Sequence, residues 1–151
     1  MPHLMAAFMP DLLPVGGAQI VRTHDGTVHV WHPAPTVFVS RVEGVLSEQA
    51  ADALLVAGQK VIAADGKMLV FNDWENATSY ERKARERMTR AGLQMWRQVE
   101  ATHFLIRARI LALGIQLANI VMGNMKVHPT RASLETAIRQ AVATRTARAA
   151  S

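Results

Sequence analysis

The sequence predicts an α/β fold: a mixed β-sheet, parallel in its centre, with helices packed mainly on one side. Two observations predict it. After an opening hairpin, short β-branched and aromatic runs alternate with longer stretches of helical periodicity. The 151 residues are also enough for one ordinary domain, which buries about two-thirds of the surface its unfolded chain exposes. With no cysteine, the chain has no disulfide framework, zinc-thiolate site or thiol nucleophile, and this absence agrees with a reducing cytoplasm.

Met1 to Val15 is apolar and interrupted by Pro2, Pro10 and Pro14; Asp11 lies inside it and no basic segment precedes it. It reads as an arm, residues 1–17, rather than a secretory signal. His24-Asp25-Gly26-Thr27 is a turn signal between Ile20-Val21-Arg22 and the alternating Val28-His29-Val30-Trp31, a hairpin pattern that Pro33 and Pro35 then end. Val37 to Val42 has the composition of a central strand closed by Glu43-Gly44.

Ser47 is a good N-cap for a helix over about 48–64, stopped by Asp65-Gly66, and Met68-Leu69-Val70-Phe71 reads as a strand covered on both faces. Thr78-Ser79-Tyr80-Glu81 has capping-box spacing and Tyr80, Ala84, Met88, Ala91 and Met95 form one stripe, so a second helix is expected to start there. His103 to Arg107 reads as a strand and Ile110 to Met122 as a nearly all-apolar helix packed on several sides. Met125 to His128 is too short to assign. Pro129-Thr130 opens a last amphipathic helix carrying Leu134, Ile138, Ala141 and Val142. The expected organisation is an arm over 1–17, a domain over 18–143 and a frayed tail over 144–151.

The net charge of +5 raises nucleic acid as a partner, but the basic residues are spread over two helices and the tail, with acidic residues interleaved, so that reading is disfavoured. The longest apolar stretch, Phe104 to Gly123, contains Arg107 and Arg109, and its charge-free part falls short of the roughly 20 residues a membrane helix needs. No membrane partner is expected.

The strand ending in Val42-Glu43-Gly44, the helix after Leu46-Ser47, and the segment Met68-Leu69-Val70-Phe71-Asn72-Asp73 followed by a polar loop and a second helix together resemble the STAS family of anti-sigma-factor antagonists. Phe71-Asn72-Asp73-Trp74-Glu75 with Thr78-Ser79-Tyr80 is similar to STAS-like proteins of bacteria, myxobacteria among them. The resemblance covers roughly Val28 to Val142 and implies a STAS-like fold in a non-enzymatic, cytoplasmic regulator or scaffold. Such a protein docks on a partner, typically a kinase-like anti-sigma factor, and is switched by phosphorylation at a helix start. Carried over, the phosphoacceptor is Ser79, with Thr78 adjacent; the family pattern places Asp directly before the acceptor, where this chain has Thr78. A phosphate there would add about −1.5 to −2 charges, whereas the plainer reading makes both residues helix caps.

The docking surface expected beside it comprises Asp73, Trp74, Glu75, Arg82, Lys83 and Arg87, with Trp74 either an exposed anchor or a cover over the sheet end. A second reading is a small-ligand-binding or hydrolytic pocket near Asp73, Trp74 and His103, since open α/β sheets place ligands at strand C-termini. A third is an oligomer assembled through Met5, Phe8 and Met9 of the arm. His24, His29 and His32 lack the companions of a metal shell. No residue is assigned a catalytic role, and no cofactor or metal is expected.

Overall fold

A computed structural model of the chain describes residues 19–150. The expected arm, and the oligomer contact through Met5, Phe8 and Met9, lie outside the described residues. Seven strands and four helices follow in the order β1 (Gln19–Arg22), β2 (Gly26–Ala34), β3 (Val37–Leu46), α1 (Glu48–Asp65), β4 (Met68–Trp74), β5 (Ala77–Tyr80), α2 (Arg82–Met95), β6 (Val99–Ile106), α3 (Arg109–Met122), β7 (Met125–Val127) and α4 (Arg131–Ala150). The sheet order is β1-β2-β3-β4-β6-β7, and β5 also pairs with β3. The β1-β2 and β2-β3 pairs are antiparallel; β3-β4, β4-β6 and β6-β7 are parallel. The mixed sheet with a parallel centre is the one the alternation predicts.

Each parallel step needs a helical crossover, and with one hand of connection these crossovers stack on one face. Thus α1, α2 and α3 cover a core that includes Val28, Val42, Leu54, Val70, Trp74 and Phe104. Among the described residues, α4 is the helix that covers the opposite face, where Leu134 and Ile138 pack on Trp31, Val39, Phe71 and Leu105.

Local chemistry sets the ends of α1. The Ser47 hydroxyl accepts from the Ala50 N–H at 3.1 Å, and Gly66 closes the helix at φ 80° with its N–H on the Ile62 carbonyl. Four expectations are corrected. Pairing does not stop at Pro33: β2 runs on to Ala34 with an irregular register after Trp31, where a proline without an N–H is tolerated. Nor does β3 end at Gly44; it bends there at φ 79° and continues to Leu46.

The third correction concerns residues 77–80. They form β5, which follows β3 in the direction β4 had taken, so the strand resumes after the Glu75-Asn76 turn and α2 starts only at Arg82. Glu81 does not complete a capping box; its Oε1 accepts from the Glu48 N–H at 2.7 Å and so caps α1. The fourth concerns the tail. Residues 144–150 continue α4, and Arg145 bonds Glu100 Oε2 at 2.8 Å and the Thr36 hydroxyl at 3.1 Å. Thr36 sits at φ 68°, strained for a β-branched residue, and its N–H is held by Asp65 Oδ2 at 2.8 Å.

Leu134 is fully buried in the smaller core and is the main anchor of α4. Leu134→Ala is expected to lower unfolding free energy by about 2–5 kcal/mol in urea titration; a loss below about 1 kcal/mol would mean that α4 is not seated as described.

Candidate functional site

Successive side chains of a strand point to opposite faces, so Asp73 and Trp74 at the end of β4 part company. Trp74 turns toward α1–α3, is 5% exposed, donates from Nε1 to the Ser40 hydroxyl at 3.1 Å, and meets Phe104 edge-on at 5.3 Å. Ser40 in turn donates to Asn72 Oδ1 at 2.6 Å. Trp74 is therefore a cover over the sheet end and not an exposed anchor.

Asp73 turns toward α4 and is 1% exposed. Arg131, in the first turn of α4, grips it through two bonds of 3.0 Å and reaches Glu75 at 3.3 Å. Arg41 approaches Asp73 at 3.6 Å and Glu43 at 3.4 Å from β3. Burial works against the Arg131 charge, but the Asp73 and Glu75 carboxylates beside it outweigh that and raise its pKa. The two arginines and three carboxylates form a paired internal network, so Asp73 is a structural anchor and not part of an open docking face. Around Arg41 some donors stay unanswered: Arg41 Nη1 and Nη2 and Trp31 Nε1 are buried without a hydrogen-bond partner.

His103 also lies on the α4 face, one strand over. Its ring is 4.7 Å from that of Phe71, and its Nδ1 lies 2.7 Å from His128 Nε2; His128 Nδ1 lies 2.6 Å from the Ser133 hydroxyl. Burial, helped by the neighbouring His128 and Lys126, pushes the His103 pKa down to about 4, and burial with Lys126 lowers that of His128. Both rings are thus neutral near pH 7, and the chain His103–His128–Ser133 clamps β6, the segment after β7 and α4 together. The sheet separates His103 from Trp74, and Asp73 is already held by Arg131, so the pocket expected from these three residues is not assembled. Two other histidines are also engaged: His32 meets Asp65 at 2.8 Å and His29 stacks on Trp31.

Ser79 and Thr78 lie in β5 rather than at a helix start. Ser79 is partly exposed and pairs in register with Val45, and Thr78 is exposed. The remaining expected docking residues divide. Arg82 is 84% exposed and bonds Glu86 at 3.0 Å along α2, and Lys83 is exposed. Arg87 is bound to Asp52 and lies 3.2 Å from Glu48, joining α2 to α1.

Two features escaped the sequence reading. The first is the outer face of α3, where Ile110, Leu113, Leu117 and Ile120 are exposed, the last two by 65% and 80%. The expectation that this helix is packed on several sides is corrected: Leu111 and Ile115 face the core, and the apolar stripe on the other side, beside the exposed Arg109 and Gln116, faces water. Leu93 and Trp96 at the end of α2 add to the exposed apolar surface. The second is a pocket of about 180 Å³ between the sheet and α1–α3, with Trp74, Met88, Phe104 and Ile115 among its walls. It is built from residues distant in sequence, and no local signal marks it. Among the described residues, no helix is long and apolar enough to cross a membrane.

Arg131→Ala is expected to cost about 3–5 kcal/mol, because it leaves a buried carboxylate short of its partner. Urea unfolding checks this, and a near-neutral result would show that Arg41 alone suffices. The two histidines give a pH dependence. Their folded pKa values lie below the unfolded value near 6.5, so the unfolded chain binds more protons, and stability present above about pH 6.5 is lost as pH falls toward 4. In His103→Phe the thermal midpoint is expected to fall less over that interval than in the wild type.

Compared with protein-family models and with curated protein sequences, the chain matches none. Solved structures do match. A protein of the DUF3478 family with a SpoIIAA-like fold, from Shewanella loihica PV-4, aligns at a TM-score of 0.54 and 13% identity, over 80% of this chain and 91% of that one. An anti-sigma factor antagonist from Mycobacterium paratuberculosis aligns at 0.50 and 15% identity, over 81% and 92%. At such identities the likeness speaks for the fold alone, and the fold is STAS-like.

Proposed function

We propose that the protein is a non-enzymatic regulatory domain that docks on a protein partner through α3 and the neighbouring basic face of α2. The observation that carries this reading is the exposed stripe Ile110, Leu113, Leu117 and Ile120. Its spacing is that of a helix-packing seam, three and four residues apart, narrower than the broad apolar face of a helix lying in a membrane surface. Beside it, α2 carries Arg82, Lys83, Arg85 and Arg90, with Glu86 as the acidic residue of the helix, while Arg87 is taken up by Asp52 and Glu48 of α1. The complementary partner is an amphipathic helix with acidic flanks. A second copy of this chain would bring basic surface against basic surface, which costs affinity. The STAS-like fold supports a binding role over catalysis, and the internal pairing of Asp73 and the neutral, mutually bonded histidines leave no activated nucleophile among the candidates considered.

Phosphorylation fits this reading as a control. Thr78 and Ser79 lie a few residues before the basic run of α2, and a phosphate on either would compete with an acidic partner for it.

The test is capture of binding proteins from the native host by the full chain and by Leu117→Glu, Arg90→Glu, Ser79→Asp and Arg139→Glu, the last an exposed control on α4. A partner held by wild type and Arg139→Glu but weakened about tenfold, or about 1.4 kcal/mol, by the first two substitutions supports the α2–α3 surface. Equal capture by all five chains overturns it. Binding to phosphatidylglycerol vesicles that Leu117→Glu abolishes would replace the protein partner with a membrane, and a dimer in sedimentation that the same change dissolves would replace it with a second copy. Ser79→Asp is expected to weaken capture, and unchanged capture removes phosphorylation there as a switch.

A further inference from the structure

The pocket under α2 and α3 is large for a packing defect; its walls are mainly apolar, and Asn124 is the polar residue among them with an unanswered buried acceptor. At about 180 Å³ it exceeds the roughly 150 Å³ apolar cavity known to stay dry and take up benzene. Five methionines, Met68, Met88, Met95, Met122 and Met125, line it, and such unbranched side chains re-form around an occupant. Glycines on α1, α2 and α3 leave room for side chains of the pocket wall: a Cβ on Gly92 would lie 2.9 Å from the Met122 methyl and one on Gly114 3.4 Å from the Tyr80 hydroxyl.

Asn124 lies after the end of α3. Its Nδ2 donates to the Val99 carbonyl at 3.3 Å, which orients the amide, and its Oδ1 is buried with no hydrogen-bond partner, covered by neighbouring side chains that a ligand donor must displace to reach it. The Asn124 carbonyl is taken by the N–H of Thr102, another residue of the pocket wall. A buried acceptor left open costs about 1–3 kcal/mol relative to a satisfied one. A ligand that supplies the missing donor recovers that difference on binding, and one that merely fills the space does not.

We infer that this pocket is a binding site for a small neutral molecule with an apolar, ring-like body and a single hydroxyl or N–H group, which donates to Asn124 Oδ1. Neutrality follows from the setting: the walls are mainly apolar side chains, the one charged residue among them, Arg85, is exposed with its guanidinium over the Tyr80 ring, and a charged group taken inside would lose its hydration. Size follows from the volume, which suits two fused rings. The inference does not depend on the docking surface, which uses the outer faces of the same helices.

The probes are 2-naphthol and naphthalene, alike in shape and different only in the donor. Binding is followed on the full chain by amide chemical shifts and by the thermal midpoint. Naphthol is expected to bind at least about tenfold more tightly than naphthalene, to shift amides of Thr102 and Asn124, and to raise the midpoint. Asn124→Ala should reduce naphthol to the affinity of naphthalene, and Ala118→Phe, which fills the space from α3, should abolish both. Gly114→Ala gives a milder filling variant if Ala118→Phe fails to fold, and it should weaken both ligands together. Three results would overturn the inference: equal affinity for the two probes, binding undiminished by the filling variants, or no binding of either probe while a filling variant raises the midpoint. The last would mark the space as a packing void.

Discussion

The rest of the structure depends on one constraint: the central strands β3, β4 and β6 are parallel, and such strands must be buried on both faces. Crossovers of one hand supply α1, α2 and α3 for one face and leave the other uncovered. The second face is closed only because the chain, having formed the edge strand β7, turns back as α4. Every side chain of interest takes its role from the face it is given. Trp74 becomes a wall of the larger core, while Asp73, one residue earlier, becomes the acceptor that locates α4.

That placement accounts for the buried charges. Asp73 has no route to water, so its charge persists only because Arg131 answers it with both ends of the guanidinium. The pair joins residues far apart in the chain and, with the His103–His128–Ser133 contact and the Arg145–Glu100 bridge, holds α4 at its start and near its end. Buried ion pairs add little net stability compared with apolar packing, but they admit few alternative arrangements. Here the pairing fixes the rotation and register of a helix whose apolar stripe is short. The same logic explains why acidic residues at a strand C-terminus, ordinarily a sign of a binding site, form an internal strut in this protein.

What was legible in the sequence was whatever is decided locally. Ser47 and Gly66 bracket α1 because an N-cap hydroxyl and a left-handed glycine act within a few residues. Alternation of strands and helices pointed to the mixed sheet, and the turn signal His24-Asp25-Gly26-Thr27 pointed to the hairpin, in which Arg22 pairs with Thr27. The failures share a different origin. Thr78-Ser79-Tyr80-Glu81 satisfies the capping-box pattern, yet pairing with β3 draws 77–80 into the sheet and Glu81 caps another helix. The competing interaction lay more than thirty residues away. Trp74 was ambiguous because neither its strand face nor its bond to Ser40 is encoded nearby, and the outer face of α3 went unread because it carries an apolar stripe like the buried face, so apolarity alone does not tell which of the two meets water.

The two inferred sites meet in the same pair of helices. The inner sides of α2 and α3 line the pocket with Met88, Met95, Ile115 and Met122, and the outer sides carry the basic run and the apolar seam. A molecule bound inside and a partner bound outside would therefore act on one layer of the fold, and thermodynamic linkage makes their effects reciprocal. If occupancy of the pocket orders α3, the partner no longer has to supply that ordering and binds more tightly. If it spreads α2 from α3, the seam no longer lies beside the basic face and binding weakens. The sign depends on how much of the pocket must open to admit the ligand, and therefore on the fit between its rings and the methionines that enclose them.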